Sequence, residues 1–217
     1  IMIAGSLVWT KGNGTITFSG ATAGTQTLNF GNNSLEAITV NDAGAIKQLV
    51  TGNITTDALT VTAGTLDANG RTVTVTNLTT VNGGTYQAST ATQTFNGGVT
   101  ISSGTFTGST GAVDVNGNVS LSNGTLTAPS GTFTVSGNWT RSGGTFTPGA
   151  GTNTVEFDRA AGTQTYDNAG SAFNNILHSG AGTLQGLSNS IDVGGTFINS
   201  AGIYDASGLA LTVTGLT

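Results

Sequence analysis

Two carboxylates, Asp114 and Glu156, are the strongest candidates for catalysis in this sequence. When residues 154–157 (Thr-Val-Glu-Phe) are aligned with residues 132–135 (Thr-Phe-Thr-Val), both acidic side chains fall in one outward-facing row, two repeats apart. Two strand spacings of ~4.8 Å separate them by about 10 Å, near the ~6.5–9.5 Å between the carboxyl groups of inverting glycosidases. The sequence offers no aromatic platform, long loop or third carboxylate beside them. We therefore expect isolated surface carboxylates and no catalytic residues.

Metal-binding and nucleophilic chemistry have less support. Asp158 and Asp167 flank a Gly/Ala loop, but no further oxygen ligands occur at the spacing of a calcium site. His178 is the single histidine, and its Ser/Gly surroundings predict a surface residue rather than a member of a catalytic triad. The absence of Cys removes disulfides and cysteine-ligated zinc. These patterns predict no metal site and no cofactor.

Threonines at positions i and i+2 recur from one repeat to the next. Stacking the repeats arranges them as two ranks on one flat face: Thr105, Thr107, Thr125, Thr127, Thr145 and Thr147. Such Thr-x-Thr arrays on β-solenoids resemble those of ice-binding proteins, so this face is the candidate ligand or ice site. Threonine is also a favourable solvent-facing strand residue whose stacking supports a sheet without any ligand. One rank ends towards the N-terminus, where Asp67 and Gln87 replace threonine.

Trp139 and Arg141 occupy positions that are apolar in the preceding repeats. We expect them to mark a distorted turn. An exposed Trp139 would be an alternative sugar-stacking residue.

Composition restricts the partners of the chain. Charged residues make up 7% of the 217 residues, whereas about 25% is usual in globular domains. The net charge is −5 and the five basic residues are scattered, which argues against nucleic-acid binding. No apolar run approaches the ~18 residues of a membrane span. A neutral, hydroxyl-rich composition without cysteine is typical of exported proteins, so we expect an extracellular or cell-surface location.

A Gly-Thr-apolar triplet that recurs at a constant interval defines the elements that carry these side chains. Its copies are Gly64-Thr65-Leu66, Gly84-Thr85-Tyr86, Gly104-Thr105-Phe106, Gly124-Thr125-Leu126 and Gly144-Thr145-Phe146, with looser copies at Gly44-Ala45-Ile46 and Gly24-Thr25. A fixed period of about 20 residues predicts a solenoid. Each repeat holds three short alternating stretches separated by Gly, Asn and Ser, which predicts strands and turns. Gly-Asn pairs at 117–118 and 137–138 predict corners with left-handed backbone.

Stacked repeats place equivalent residues in apolar columns that face the interior. The predicted columns are Leu66, Tyr86, Phe106, Leu126 and Phe146; Val75, Phe95, Val115 and Val135; and Val81, Ile101 and Leu121. We predict an all-β fold, a right-handed parallel β-helix (β-solenoid) of roughly ten coils with three short strands each. Residues 1–217 form one continuous domain, which at ~4.8 Å per coil is a rod about 50 Å long.

A longer period is superimposed on that of the triplet. Residues 24–27 return at 162–165 and residues 67–70 at 205–208, both at the same offset of 138. This predicts a seven-coil module over residues 24–161 and a partial second copy over 162–217. Gly162 follows Gly144 two positions earlier than the triplet period would place it, which predicts one shortened coil. Neither residues 1–3 nor residues 209–211 form a polar cap, which favours stacking onto further repeats.

Several of these motifs together resemble a known group of proteins. They are residues 135–140 (Val-Ser-Gly-Asn-Trp-Thr), 144–148 (Gly-Thr-Phe-Thr-Pro), 154–157 (Thr-Val-Glu-Phe), 162–165 (Gly-Thr-Gln-Thr) and 173–176 (Phe-Asn-Asn-Ile). The chain resembles the tandem β-strand repeats of bacterial secreted surface proteins, including adhesins and autotransporter-passenger-like solenoids. The resemblance implies a non-enzymatic stalk, adhesin segment or surface fibre.

The expected partners follow from this interpretation. They are copies of the chain or adjacent repeats stacked end to end, with surface carbohydrate as a further candidate. Two alternatives stay open: a carbohydrate-binding or polysaccharide-degrading β-helix of the tailspike or lyase type, and an ice-binding solenoid.

Overall fold

The computed structural model describes residues 9–20, 23–149 and 153–215. These residues form a parallel β-solenoid of about ten turns, and no helix occurs among them. The strands, in chain order, are β1 Thr15–Ser19, β2 Gly24–Asn29, β3 Ser34–Leu35, β4 Ala37–Thr51, β5 Ile54–Thr56, β6 Leu59–Asp67, β7 Val73–Val75, β8 Thr79–Gln87, β9 Gln93–Phe95, β10 Val99–Thr107, β11 Val113–Val115, β12 Val119–Leu121, β13 Thr125–Thr127, β14 Thr132–Val135, β15 Trp139–Arg141, β16 Thr145–Thr147, β17 Thr154–Phe157, β18 Thr163–Asp167, β19 Asn175–His178, β20 Thr183–Gly186, β21 Ile191–Val193, β22 Phe197–Asn199, β23 Ile203–Asp205 and β24 Leu211–Val213.

Three parallel sheets run along the solenoid axis. Sheet 1 has 13 strands and follows the path β1-β4-β6-β8-β10-β12-β15-β18-β20-β23, with β2, β13 and β16 attached to it. Sheet 2 has nine strands from β3 to β22, and sheet 3 joins β21 to β24. The predicted three strands per coil are found where β11, β12 and β13 are separate strands of one coil. In β6, β8 and β10 two of the stretches merge into one nine-residue strand that includes the glycine of the triplet.

The predicted columns form the core. Phe106 pairs with Tyr86 on one side and with Leu126 on the other, and Val115 lies between Phe95 and Val135 in the same way. All members of the three columns are buried, the most exposed being Phe146 at 6%. Tyr86 and Phe106 stack with ring centroids 5.1 Å apart, and Phe95 packs edge-on against both rings. The columns were therefore predicted correctly from the triplet period.

Glycine has two different tasks at the corners, and the prediction assigned one of them to the wrong residues. The left-handed backbone lies at most of the triplet glycines, though not at Gly84, with φ of +73° at Gly104 and +81° at Gly124. Gly117 and Gly137 do not have positive φ, so the prediction of left-handed Gly-Asn corners is wrong. They are glycines because successive corners touch: a Cβ on Gly137 would lie 2.1 Å from the carbonyl oxygen of Gly117.

The register of the upstream coils also differs from the prediction. Triplet alignment placed Ile46 beneath Leu66, but Lys47 pairs with Leu66 and Ile46 pairs with Thr65. Ile46 is consequently 37% exposed, whereas Lys47 is 2% exposed and points inward. Strand β4 pairs with β6 at an offset of 21 residues at Ile38 but of 19 residues at Lys47, because the register shifts between Asn41 and Ile46. Such a shift exchanges the residues that face the core and the solvent. Inside the core, Lys47 forms an ion pair with Asp42 and donates to the amide oxygen of Gln26.

The predicted shortened coil after Gly144 is wrong, because this coil is longer than the others. Strand β18 pairs with β15 rather than with β16, so that Trp139 lies opposite Tyr166, seven positions beyond the regular spacing. Arg141 lies at the start of this longer coil, where it follows Leu121 in a column that is otherwise apolar. Its guanidinium donates to the carbonyl oxygens of Asn168 and Gly144 and to Ser171 Oγ. The two loops that supply these acceptors fold around the guanidinium.

The turns at 67–70 and 205–208 have the same conformation, as their sequence match predicts. In each turn the first aspartate accepts a 2.8 Å hydrogen bond from the backbone N–H two residues on, in Asn69 and Ser207. Both of these residues have positive φ. The limits of the seven-coil module stay a prediction. Residues 1–3, for which a polar cap was not expected, lie outside the described residues.

Candidate functional site

The predicted carboxylate row exists on the outer face of sheet 2. Asp114 on β11 pairs with Thr134 on β14, and Thr134 pairs with Glu156 on β17. Two strand spacings therefore separate the carboxylates, about 10 Å along the axis. The inward residues that flank them, such as Val115 and Phe157, are fully buried and fix the direction of each acidic side chain. We name Asp114, Thr134, Glu156, Ser136 and Asp158 the acidic face.

Asp158 is a third acidic side chain at this face, and the sequence analysis did not place it there. Asp158 comes two residues after Glu156. Because side chains alternate along an extended chain, both carboxylates face the same side, and Asp158 lies in the row of residues next to that of Glu156. Asp158 Oδ1 accepts a 2.7 Å hydrogen bond from Ser136 Oγ. The alternation of inward and outward side chains, continued one residue past the end of β17, would have placed Asp158 at this face. The expectation that no third carboxylate lies nearby is therefore wrong.

The three carboxylates differ in their surroundings. Partial burial raises the pKa of Asp114 above its usual value; the negative charge of Asp158 adds to this, and a hydrogen bond with Asn116 opposes it. Glu156 Oε1 accepts a 2.6 Å hydrogen bond from Ser179 Oγ. Arg159 lies next in sequence to Asp158, but its Nε donates to the carbonyl oxygen of Ser136. A partly buried carboxyl whose pKa is raised, as that of Asp114 is, is the kind of group that general acid–base chemistry uses.

The threonine ranks are in register. Thr105, Thr125 and Thr145 pair in succession, as do Thr107, Thr127 and Thr147. Neighbouring hydroxyls are therefore spaced about 4.8 Å along a rank and about 6.6 Å between ranks, twice the rise per residue. The first rank continues through Thr85 to Thr65, whereas Asp67 and Gln87 replace threonine in the second. Only Thr145 and Thr147 of the six are exposed; the other four are half-buried.

His178 is not at the surface, contrary to the prediction. It continues the inward column after Phe157 and is 0% exposed. Its Nδ1 lies 2.5 Å from Asn199 Oδ1, and Nε2 has no hydrogen-bond partner. The Ser/Gly surroundings that suggested exposure belong to the corner beyond β19, while alternation along the strand turns the imidazole inward.

Trp139 is not a sugar-stacking residue. It is 1% exposed, and its ring packs edge-on against Phe133, Phe146 and Phe173 with centroids 5.1–5.5 Å apart. Its indole N–H donates to Asn168 Oδ1 at 3.1 Å. Trp139 and Arg141 do not lie in a distorted turn, as was expected, but in strand β15, from which both side chains reach the 168–171 loop.

Asp167, the other acidic residue considered for metal binding, stabilises a turn. Its Oδ1 accepts hydrogen bonds of 2.8 Å from the backbone of Ala169 and from the side-chain amide of Asn189. No group of three or more Asp, Glu or His side chains arranged to hold a metal ion occurs in residues 9–20, 23–149 and 153–215. No membrane-spanning helix is found over the same ranges.

These features define the class of protein: a parallel β-solenoid whose inward columns are mainly apolar, with a few buried polar and charged side chains. Comparison with known protein families, with curated proteins and with solved structures finds no match. The function is therefore argued from the geometry of the chain itself.

Proposed function

We propose that this chain is a rigid, non-enzymatic segment of an extracellular structural protein, a stalk or fibre segment of a surface adhesin or filament. One observation carries the proposal. Sheets 1 and 2 overlap along nearly the whole described length, from β1 to β23 and from β3 to β22. Bending the rod at any coil in this range must break strand pairing in both sheets, so we infer that the solenoid has no hinge.

The interior supports the same role. Aromatic rings contact one another across neighbouring coils, first in the Tyr86, Phe95 and Phe106 group and then around Trp139 and Phe173. Gln93, which faces inward near a corner, has its side chain hydrogen-bonded to Tyr86 Oη and to backbone carbonyl oxygens. Repeat stacking of this kind makes stability additive along the axis, which suits a spacer of variable length.

Deleting one complete coil tests this role. Removing residues 104–123 joins Ser103 to Gly124, which occupies the equivalent position of the next coil. A spacer should keep its fold and shorten by about 4.8 Å, which X-ray scattering and electron microscopy can measure. Loss of the fold, or bent particles in images of the intact chain, would contradict a rigid modular rod. The control removes residues 104–113, half a coil, which turns the next strands out of register and should unfold the protein.

The enzyme alternative needs a separate experiment. The chain is incubated with a panel of charged and neutral polysaccharides, beside the variants Asp114→Asn and Glu156→Gln. The structural role predicts no new reducing ends with any of the three proteins. Cleavage by the natural sequence that disappears in both variants would overturn it and identify the acidic face as an active site.

A second candidate function is favoured by the registered threonine ranks. A flat array of hydroxyls and methyls at about 4.8 by about 6.6 Å can match a regular lattice of water or sugar hydroxyls. Inhibition of ice recrystallisation is the direct measurement, with Thr125→Tyr as the test variant and Thr94→Tyr on sheet 2 as the matched control. Equal activity of the two variants, or none in the unaltered chain, would exclude this face as an ice site.

A further inference from the structure

Three stacks of strands surround the interior of the solenoid. We name the first the threonine stack, which contains β2, β13 and β16, and the second the β15 stack, which contains β1, β12 and β15. The long strands β4, β6, β8 and β10 contribute their first halves to the β15 stack and their second halves to the threonine stack. Sheet 2 is the third stack. From β2 to β17 the chain visits the threonine stack, sheet 2 and the β15 stack in this order.

Strand β18 departs from this order. It is the counterpart of β2 at the offset of 138, since residues 163–165 repeat residues 25–27. Strand β2 belongs to the threonine stack, whereas β18 pairs with β15, so that Asp167 lies opposite Thr140. In the chain, β17 of sheet 2 is followed directly by β18, and no counterpart of β15 lies between them.

The elements after β18 are displaced in the same direction. Strand β19 is the counterpart of residues 37–40 in the β15 stack, yet it pairs with β17 of sheet 2, where Leu177 lies opposite Glu156. Phe173, whose counterpart lies in sheet 2, packs against Phe146 of the threonine stack with ring centroids 5.4 Å apart. Each of these elements of the second copy of the module therefore lies one stack further around the rod than its counterpart.

Hydrogen bonds at the corner between β17 and β18 hold this displacement. Gln164 is 0% exposed, and its amide donates to two carbonyl oxygens of the corner between β14 and β15, at 2.6 Å each. The backbone N–H of Thr165 donates to Asn138 Oδ1, as the N–H of Asn138 donates to Asn118 Oδ1 one coil earlier. The corner at 158–162 thus lies on the corner that leads into β15, and β18 continues the β15 stack.

The displacement amounts to one whole strand. Counting the two halves of β4, β6, β8 and β10 separately, 20 strand segments run from β2 to β17. At three segments per coil, the seventh coil of the module holds two segments instead of three. A remainder of one whole segment lets the next copy pair with the strands beneath it, whereas a broken segment would leave buried backbone groups without partners.

We propose that the corner at residues 158–162 is a device that turns the repeated module by a third of a turn about the rod axis. The two copies in this chain then present corresponding side chains in different directions. The inference rests on the proposed function, a rigid rod, and adds a direction of display to it. A partner that recognises side chains common to both copies binds on two sides of the rod, so that one chain can link two partners.

Leu177 distinguishes the turned arrangement from a straight one. In the turned arrangement it lies opposite Glu156. In a straight arrangement it would follow Thr140, because its counterpart Thr39 belongs to the outward row of the β15 stack that ends at Thr140. Neighbouring positions on paired strands are about 4.8 Å apart, within the ~4.4–6.8 Å between the Cα atoms that a disulfide joins.

The absence of cysteine from the sequence makes a disulfide test direct. Glu156→Cys with Leu177→Cys is compared with the matched pair Thr140→Cys with Leu177→Cys, and Thr140→Cys with Asp167→Cys reports the β15–β18 pairing independently. After oxidation, peptide mapping without reductant should find a disulfide in the first and third proteins and free thiols in the second. A disulfide in the second protein, or none in the first and third, would overturn the proposal.

Labels at two counterpart positions measure the display itself. Thr25 and Thr163 are both exposed, and each is replaced by Cys and coupled through biotin to monovalent streptavidin. Electron microscopy should show the two labels on different sides of the rod, about 32 Å apart along its axis. Two labels in one line along the rod would refute the turn. The disulfide pairs report only neighbouring strands, so they test the turn even if the rod bends, while the coil deletion tests the rod whichever way the copies face.

Discussion

The buried ion pair between Lys47 and Asp42 gives the sharpest test of the observed register. Both side chains are 2% exposed, and Asp42 Oδ1 has no hydrogen-bond partner. Lys47→Met keeps the aliphatic stem but leaves the carboxylate buried and uncompensated. Breaking one side of a buried pair costs about 3–5 kcal/mol. Replacing both partners, as in Asp42→Leu with Lys47→Met, should restore most of this loss or exceed the stability of the unaltered chain, by up to about 4 kcal/mol.

Urea unfolding followed by circular dichroism measures these free energies. A loss of about 3 kcal/mol or more would lower the urea midpoint by about 1 M or more. The matched control is Lys11→Met, which removes the cation from an equivalent pair with Asp57 whose side chains are 37% and 34% exposed. That change should cost about 0–1 kcal/mol, because water replaces the lost partner. If Lys47→Met costs no more than Lys11→Met, or if the double variant is as unstable as the sum of its singles, the inward placement of Lys47 is refuted.

Three further predictions concern the core, the corners and the acidic face. Phe106→Ala removes a ring that packs against Tyr86 and Phe95. It should lower the free energy of unfolding in urea by about 3–5 kcal/mol. A loss below about 1 kcal/mol would contradict the placement of Phe106 in an inward column. Gly137→Ala should cost about 1–3 kcal/mol, because its Cβ meets the Gly117 carbonyl, whereas Gly14→Ala, with open space around it, should be nearly neutral. Asp114→Asn should raise the urea midpoint at neutral pH, because the raised pKa of Asp114 makes its ionised form cost stability in the folded state. This gain should shrink to nothing as the pH falls below the ordinary pKa of aspartate; a gain that is the same at acid and neutral pH would exclude charge as its cause.

The constant period of the triplet determined most of the fold. Once coils stack at a constant spacing, equivalent residues must lie above one another, so Phe106, Val115 and Ile101 were placed in the core from sequence alone. Glu156 lies 22 residues after Thr134 and was placed in the row of Asp114 by the alignment of residues 154–157 with 132–135. The core columns and the registered threonine ranks follow from the triplet period itself. These features depend only on the repeat length and on the alternation of side chains along a strand.

Tertiary structure decided what happens where the period changes. Lys47 is inward because the register of β4 against β6 shifts between Asn41 and Ile46. Arg141 lies in a coil that is longer than the others, where its guanidinium donates to acceptors in two loops. His178 is buried, although its neighbours in sequence are small and polar, because alternation along β19 outweighs local composition. Asp158 lies at the acidic face in the row next to that of Glu156, where it accepts a hydrogen bond from Ser136. A repeated sequence determines its register only while the repeat is constant; at an insertion or deletion, the packing of particular side chains selects which residue faces the core.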